Sequence, residues 1–597
     1  MKSRLVKRFS ALFLLSGMLI GESSGILASS EKEAIRLANR RKADSSSVIT
    51  LKVYNSEDYI AEDEKDDNGN ITSKGILSEF EEYEKDQGKN VRVSYSCFDT
   101  NEDMLSQLKM GSQYDLVCTS DYVVQKMIRQ DMVVPFESDS SWEEENFSST
   151  PNYNDYCSPF IKNKIKGISV MKDGKTVDVN QYARGYMWGT LGILYNSDFV
   201  KLSERGISSD EIDSDMTDWL SLWDRKYKNL FTIKDSMRDT YAVGVMKAFS
   251  DEFEALEKQF EDKELTEAEY NSKVHGIFNR CDDESIQKVE KVLEELRDNA
   301  YGFEVDGGKV DMARGLYYAI NLAWSGDATW AMDMADEYNA KHEGEKNFKP
   351  TELKYAIPKT GANVWFDAWV MPNSVKDSGN QEIATEFIDF LSDPEIAAQN
   401  MAFIGYTPVI AGDPILEYVR ESYGDVRAEE DDDGNITWNE EADLDGTYAK
   451  SLKYFFQGTL SDENEADIDK ATTFYLPEDC RYKQFDTAYP DESLLPELVI
   501  MDDYGDQNDK VVKMWTRVKA KMLPAWVYYT VLAIVLILIG IGIFCGINSQ
   551  RKKALRKSRH LERVERARKS RSLTKDLTEG VAVSPIPPEA AITDKKD

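Results

Sequence analysis

The residues of this chain that could do chemistry are carboxylates and aromatic rings. Only three histidines occur, His275, His342 and His560, so a Ser-His-Asp or Cys-His relay is poorly supplied. The six cysteines (Cys97, Cys118, Cys157, Cys281, Cys480 and Cys545) are scattered without a CxxC pair. That spacing offers no zinc site and points to one disulfide or none. No GxxxxGK[ST] phosphate loop is present. Acid pairs are plentiful enough for a carboxylate glycosidase, but none has a distinguishing context. No catalytic residue, cofactor or metal ligand is therefore assigned, and the chain is read as a non-enzyme. One stretch, EEDDDGNITWNE (429–440), approximates a calcium loop. Asp431, Asp433, Gly434, Ile436 and Glu440 fall in register, but Glu429 stands where Asp is usual. An acidic hairpin with an Asp-Gly turn accounts for the same residues. A sharper pair is Trp365 and Asp367 in WFDAWVMP (365–372). Strand alternation puts both on one face, and a ring beside a carboxylate can hold a cation.

Charge agrees with that chemistry. The chain has a formal charge of −35; residues 551–597 hold 14 Lys+Arg against 7 Asp+Glu, a surplus of +7, leaving −42 for the remainder. So acidic a body repels phosphates, making nucleic acid an improbable partner, and suits a cationic ligand.

The two ends place this body relative to a membrane. Lys2, Arg4, Lys7 and Arg8 precede ALFLLSGMLIG and then small residues through Ser30, the layout of a secretory signal peptide over 1–30. Residues 31–47 read as a polar stalk. Trp526 to Ile547 reads WVYYTVLAIVLILIGIGIFCGI without a charge. At the helical rise such a run spans roughly 33 Å, enough for a bilayer core. A transmembrane helix is expected over 524–548, with Trp526, Tyr528 and Tyr529 at one interface. Arg551, Lys552, Lys553, Arg556 and Lys557 follow it, which predicts a cytoplasmic basic tail, 549–597, and an extracytoplasmic body. The expected location is the cell membrane, single-pass.

The elements that must position Trp365 and Asp367 read as alternating strands and helices. ITLKVY begins a first strand. GILSEFEEYEKDQG (75–88) has a helical apolar face and stops at Gly88. NVRVSYSCF and YDLVCTS are further strands, with the helices NEDMLSQLKMGS and DYVVQKMIRQDM between and after them. The pattern resumes at GILYNSDF, LFTIKDS, INLAWSGDATWAM and KYAIPKTG, and ATEFIDFLSDPEIAAQNMAF reads as a helix pair. The class is α/β. Acidic insertions over 60–74, 137–180, 250–300 and 421–480 read mostly as surface loops or added helices.

These blocks, in order, resemble a known family. KVYNSEDYI, FDTNEDMLSQLKMGSQYDLVCTSDYVVQKMIRQDMVVPFE, YMWGTLGILYN, DWLSLWDRKYKN, IKDSMRD, INLAWSGDA, VWFDAWVMP and FLSDPEIAAQNMAFIGYTPV are together similar to the polyamine-binding (spermidine/putrescine) solute receptors of bacterial ABC importers. The resemblance runs from about residue 50 to about 410 and more weakly to about 520. It implies a two-lobed periplasmic-binding-protein type II fold over 48–520. Lobe 1 would take about 48–188 and 365–408; lobe 2 would take about 190–363 and 409–520. The chain would cross between lobes near Gly189, Val364 and Pro408. The partners it implies are a polyamine ligand and the ABC permease and ATPase subunits at the membrane.

Carried over by motif position, Tyr59 and Tyr122 would be first-lobe rings flanking the ligand, with Ser120 beside Tyr122. Asp239 would grip an ammonium from the second lobe. Trp324 and Trp365 would stack on the methylenes, Asp367 would take an amine, and Tyr406 would close the cleft. The chain departs from the pattern at Ser56, where an aromatic is expected, and at Ser236, where an acid is expected. Asp58, Asp121 and Asp327 are candidate sources of other charge. A membrane-anchored sensor using the same ligand, or a receptor for a different small cation, fits the same residues. The tail, however, has no visible kinase or other enzymatic motif.

Overall fold

The computed structural model describes residues 48–520, apart from 66–70, 139–141, 143–146, 306, 347, 431–435 and 440, together with residue 537. The expected signal peptide, stalk and cytoplasmic tail lie outside the described residues. So does the expected membrane helix, residue 537 excepted. Among the described residues no helix is long and apolar enough to cross a membrane. Most of the candidate calcium loop, Asp431, Asp433, Gly434 and Glu440 included, also lies outside them. The flanking strands Ala428–Glu430 and Ile436–Trp438 pair antiparallel, and among the described residues no acid, His or Cys cluster could hold a metal ion.

One long mixed sheet organises the rest. Its strands are β1 (Ile49–Ser56), β2 (Val91–Phe98), β3 (Leu116–Ser120), β4 (Ala183–Tyr195), β5 (Phe231–Lys234), β6 (Gly302–Glu304), β7 (Ile320–Trp324) and β8 (Ala362–Pro372), in the order β6-β5-β7-β4-β8-β3-β1-β2. At either end the strands run parallel, β2-β1-β3 and β6-β5-β7. They are connected through helices, as parallel pairing requires. The helices used below are α1 (Ile76–Asp86), α2 (Asn101–Lys109), α3 (Asp121–Arg129), α4 (Met237–Ala248), α5 (Asp283–Asn299), α6 (Ser325–His342), α7 (Gln381–Leu391), α8 (Pro394–Ile404), α9 (Asp413–Tyr423) and α10 (Asn508–Lys519).

The two parallel ends are joined by β4 and β8, long strands buried almost throughout. From Ala183 to Thr190, β4 pairs antiparallel with β8; from Leu191 to Tyr195 it pairs with β7. Thr407–Pro408 adds a short strand against Met187 and Trp188. The segments expected to cross near Gly189, Val364 and Pro408 thus lie side by side. Gly189 is required there, because a Cβ would stand 2.3 Å from Ser325 Oγ and 2.6 Å from the Trp365 ring. A bulge between Asp367 and Ala368 shifts the register on β4 from Met187 to Gly185. It leaves Tyr186 over, and bulges of this kind re-aim side chains.

Residues 409–520 are shared between the two ends of the sheet and do not lie wholly with the second lobe, as the lobe boundary at 409 had assumed. α9 packs on α8, and Lys453–Phe456 packs on Pro159–Lys166. Gln484–Ala488 lies on α6, and α10 lies on α5. The reason is local chemistry: each short piece buries its own apolar face, such as Phe455 and Phe456 or Val511 and Met514, against whichever layer it reaches. All five cysteines among the described residues are free thiols.

Candidate functional site

The site forms where three helices begin beside β8. Ser120, Asp121 and Tyr122 open α3; Asp239 lies in the first turn of α4; Trp324 precedes α6, whose first turn holds Asp327. A helix start carries partial positive charge, so an acid placed there is electrostatically favoured. Ser236, the position where an acid was expected, caps α4 by accepting from the Asp239 backbone N–H at 3.4 Å. This departure from the motif therefore has a structural use.

Asp367 is the centre of the first-lobe end. Tyr59 OH donates to its Oδ2 at 2.8 Å, and Ser120 Oγ donates to its Oδ1 at 2.8 Å. Asn101 Nδ2 donates to Ser120 Oγ at 3.1 Å and to Tyr122 OH at 3.3 Å, tying three expected residues together. Tyr59 is presented by a turn in which Asp58 takes φ +53°, a conformation Asp tolerates better than most residues. Tyr186, the residue left over by the bulge, donates its hydroxyl to Tyr59 O at 2.7 Å and meets that ring edge-on at 5.5 Å.

The walls are aromatic. Tyr406 packs edge-on to Tyr59 at 5.2 Å and lies 6.0 Å from Trp365. Gly326 permits this, because a Cβ there would stand 2.4 Å from the Tyr406 ring. Tyr406 OH donates to Asp327 Oδ1 at 3.0 Å, joining the two sides of the cleft. Trp365 and Asp367 join the same set of contacts, Trp365 through Tyr406 and Asp367 through Tyr59. Seven of the eight expected residues form this connected set through contacts with Tyr59, Asp367, Tyr406, Asn101 or Lys234. The eighth, Asp239, lies near enough for its charge to act on Asp367.

Electrostatics divide the acids. Burial pushes the Asp367 carboxyl up, against the hydrogen bonds from Ser120 and Tyr59, and the neighbouring Asp239 adds to the rise. Burial also raises Asp239, opposed by Ser236, Trp324, Lys234 and Arg238. Asp121, which accepts from Phe366 N at 3.3 Å, is pushed up to about 8 by burial. Asp327 is the opposite case. Burial would raise it, but Lys234 and Lys309 hold it below the usual carboxylate range. Among the described residues no lysine or arginine forms an ion pair with Asp367, whereas Lys234 and Lys309 each reach Asp327 at 3.0 Å.

Sequence reading missed four participants. Arg238 lies 4.3 Å over Tyr122 and 3.7 Å over Tyr504, and it donates to Asp502 O. Tyr504, near the end of the described body, thus packs against the same guanidinium as Tyr122. Lys234 sits 4.2 Å over Trp324, and Lys309 lies beside Asp327. The available signal for Lys234 was a charge closing the otherwise apolar strand FTIK.

A family model described as bacterial extracellular solute-binding protein matches residues 80–412. The chain belongs to this family. All the expected site residues except Tyr59 fall inside the match, and the sheet with its crossing strands is the family's α/β periplasmic-binding-protein-like fold. Solute-binding proteins of this family are not enzymes. The spermidine/putrescine-binding periplasmic protein of Salmonella typhimurium is 25% identical over 371 residues, 62% of this chain and 80% of that protein. The putrescine-binding periplasmic protein PotF of Escherichia coli is 27% identical over 430 residues, 70% of this chain and 90% of its own. Among solved structures, the spermidine/putrescine ABC transporter substrate-binding protein PotD of Streptococcus pneumoniae covers 79% of this chain and 98% of its own, at 22% identity and a TM-score of 0.45.

Proposed function

We propose that this solute-binding protein captures a polyamine of the spermidine/putrescine class between its lobes and delivers it to an ABC permease driven by a separate ATPase. The observation that carries the reading is Asp367. Its carboxylate is gripped by two hydroxyls, feels a second acid, Asp239, and has the ring of Tyr59 against it, which in turn packs on Tyr406, a setting that suits a cation. An ammonium leaving water needs a carboxylate or a ring face, and a methylene gains from apolar contact. A chain of methylenes bearing ammonium groups meets both conditions. The names of the relatives support the same class. Closure of two lobes about β4 and β8 is the motion such capture uses.

The tether belongs to the same proposal. The apolar run 524–548 would hold the binding body at the outer face of the membrane, and the basic tail 549–597 would lie against an anionic inner leaflet. Calorimetric titration of the full-length protein in detergent, with spermidine and with putrescine at low and moderate salt, tests the ligand. Saturable binding at roughly micromolar or tighter affinity, lost in Asp367→Ala, is the expected outcome. Absence of saturable binding by either amine would remove the polyamine reading and leave the fold untouched. Protease accessibility of the tail in sealed inside-out vesicles tests the topology. A tail protected there would place it on the wrong side.

A further inference from the structure

The second-lobe end of the cleft already holds ammonium groups, and they belong to the protein. Lys234 closes β5 with its side chain 1% exposed. Its Nζ donates to Asp327 Oδ2 at 3.0 Å and to Val305 O at 2.6 Å, and it lies 4.2 Å from the Trp324 ring centroid. Glu304 stands 4.0 Å away. Lys309 donates to Asp327 Oδ1 at 3.0 Å, the oxygen that also accepts from Tyr406. A carboxylate, a carbonyl and a ring face are the contacts a terminal ligand ammonium would seek.

Resting on the polyamine reading above, we propose that Lys234 is a specificity-determining residue: its ammonium fills the subsite of Trp324 and Asp327, so the cleft selects a diamine over a triamine. Charge counting leads to the same place. Asp327 and Glu304 are matched by Lys234 and Lys309, so a further ammonium here would meet like charge in a poorly solvated setting. Lys234 cannot swing aside cheaply, because its stem is buried and two of its three donors are engaged. Asp239 is itself flanked by Lys234 and Arg238, which leaves Asp367, without an ion pair among the described residues, to meet a ligand ammonium away from Lys234. A diamine can keep both charges clear of Lys234, whereas the third ammonium of spermidine would have to lie toward it.

The test uses full-length protein in detergent, titrated with 1,3-diaminopropane, putrescine, cadaverine and spermidine. The unmodified protein is expected to bind at least one diamine more tightly than spermidine, by ~3-fold or more. In Lys234→Met, which keeps length and removes charge, spermidine affinity should rise at least ~10-fold while putrescine stays within ~3-fold. Lys234→Arg should keep the original ratio. A best diamine less than ~3-fold tighter than spermidine in the unmodified protein would overturn the proposal. So would an unchanged ratio in a Met variant with native circular dichroism. If the Met variant does not fold, the diamine series on the unmodified protein decides alone. Failure of every amine to bind is a different result: it removes the polyamine reading itself, and this proposal with it.

Discussion

The two ends of the cleft use the same group, an aspartate, in opposite ways: Asp327 is buried in the first turn of α6, and Asp367 is part-buried in the middle of β8. Asp327 is saturated by Lys234, Lys309 and Tyr406. Asp367 is held by two hydroxyls and has no ion pair among the described residues. A buried carboxylate with its cations supplied by the chain belongs to the folded structure, whereas one positioned without a cation is set up for a ligand. The pKa directions follow: Asp327 is lowered and Asp367 raised. Breaking each end in turn should therefore give different losses, stability at one and binding at the other.

The largest effect is expected from Asp327→Ala. It leaves two ammoniums facing each other with one carboxylate fewer, and removal of one partner of a buried ion pair costs about 3–5 kcal/mol. Denaturant unfolding of the variant should show this as a lower midpoint. A midpoint equal to that of the unmodified protein would mean that the two lysines do not depend on Asp327. Asp367→Asn should do the reverse. Stability should hold or rise slightly, because a buried acid without a cation is replaced by a neutral group. Amine affinity should fall by about 2–5 kcal/mol, the usual cost of truncating a buried charge partner. Equal loss of stability in the two variants would erase the distinction between the ends.

Proton linkage sharpens the same contrast with a smaller signal. An aspartate in the unfolded chain titrates near about 3.9. Asp121, at about 8 when folded, keeps its proton where the unfolded chain has lost it. Its contribution to stability therefore falls as pH rises from about 4 to 8. Asp367 and Asp239 share that sign. Asp327 has the other sign: its contribution is present above the unfolded value and is lost as pH falls through its lowered folded value. A dication favours the ionised acids, so binding near neutral pH should release protons, about one or fewer per ligand. Titration in buffers of different ionisation enthalpy measures that number. Proton uptake on binding would contradict the assignment of the raised acids to the ligand.

Much of the fold is legible in local pattern, and the reason is visible in β1 and α1. β1 buries Leu51 and Val53 and exposes Lys52, and α1 buries Ile76 and Phe80, so period two and period 3.6 could be read directly. β4 is buried on both faces along its whole length, so no alternation marks it, and only its apolar second half, GILY, read as a strand. Strand order depends on pairings far apart in sequence, such as Asp367 with Ser120, which no local pattern encodes. In the site, Trp365 and Asp367 were legible because they share a strand face. Lys234 was not, because its partners Val305 and Asp327 lie 71 and 93 residues away and nothing in FTIK says which way the lysine turns. Ser236 stands out in the sequence only as a departure from the motif, and the geometry of α4 shows it to be a cap.

The finest test of the contrast removes one oxygen from each end. Tyr59→Phe and Tyr406→Phe keep both rings, which pack edge-on to each other at 5.2 Å, and delete hydroxyls that donate to Asp367 and Asp327. If the ends differ as argued, the two deletions are unequal. Asp327 retains two ammoniums after losing Tyr406 OH, so amine affinity should change by less than ~1 kcal/mol. Asp367 retains only Ser120, and its ionised form, the one that meets a ligand ammonium, loses one of two donors. Hydrogen bonds to charged groups are worth about 1.5–3 kcal/mol, so Tyr59→Phe should weaken binding by roughly ten-fold or more and raise the pH at which affinity is half-maximal. Equal effects would mean that Asp327, despite its two lysines, still answers to the ligand, and the division of labour between the ends would have to be abandoned.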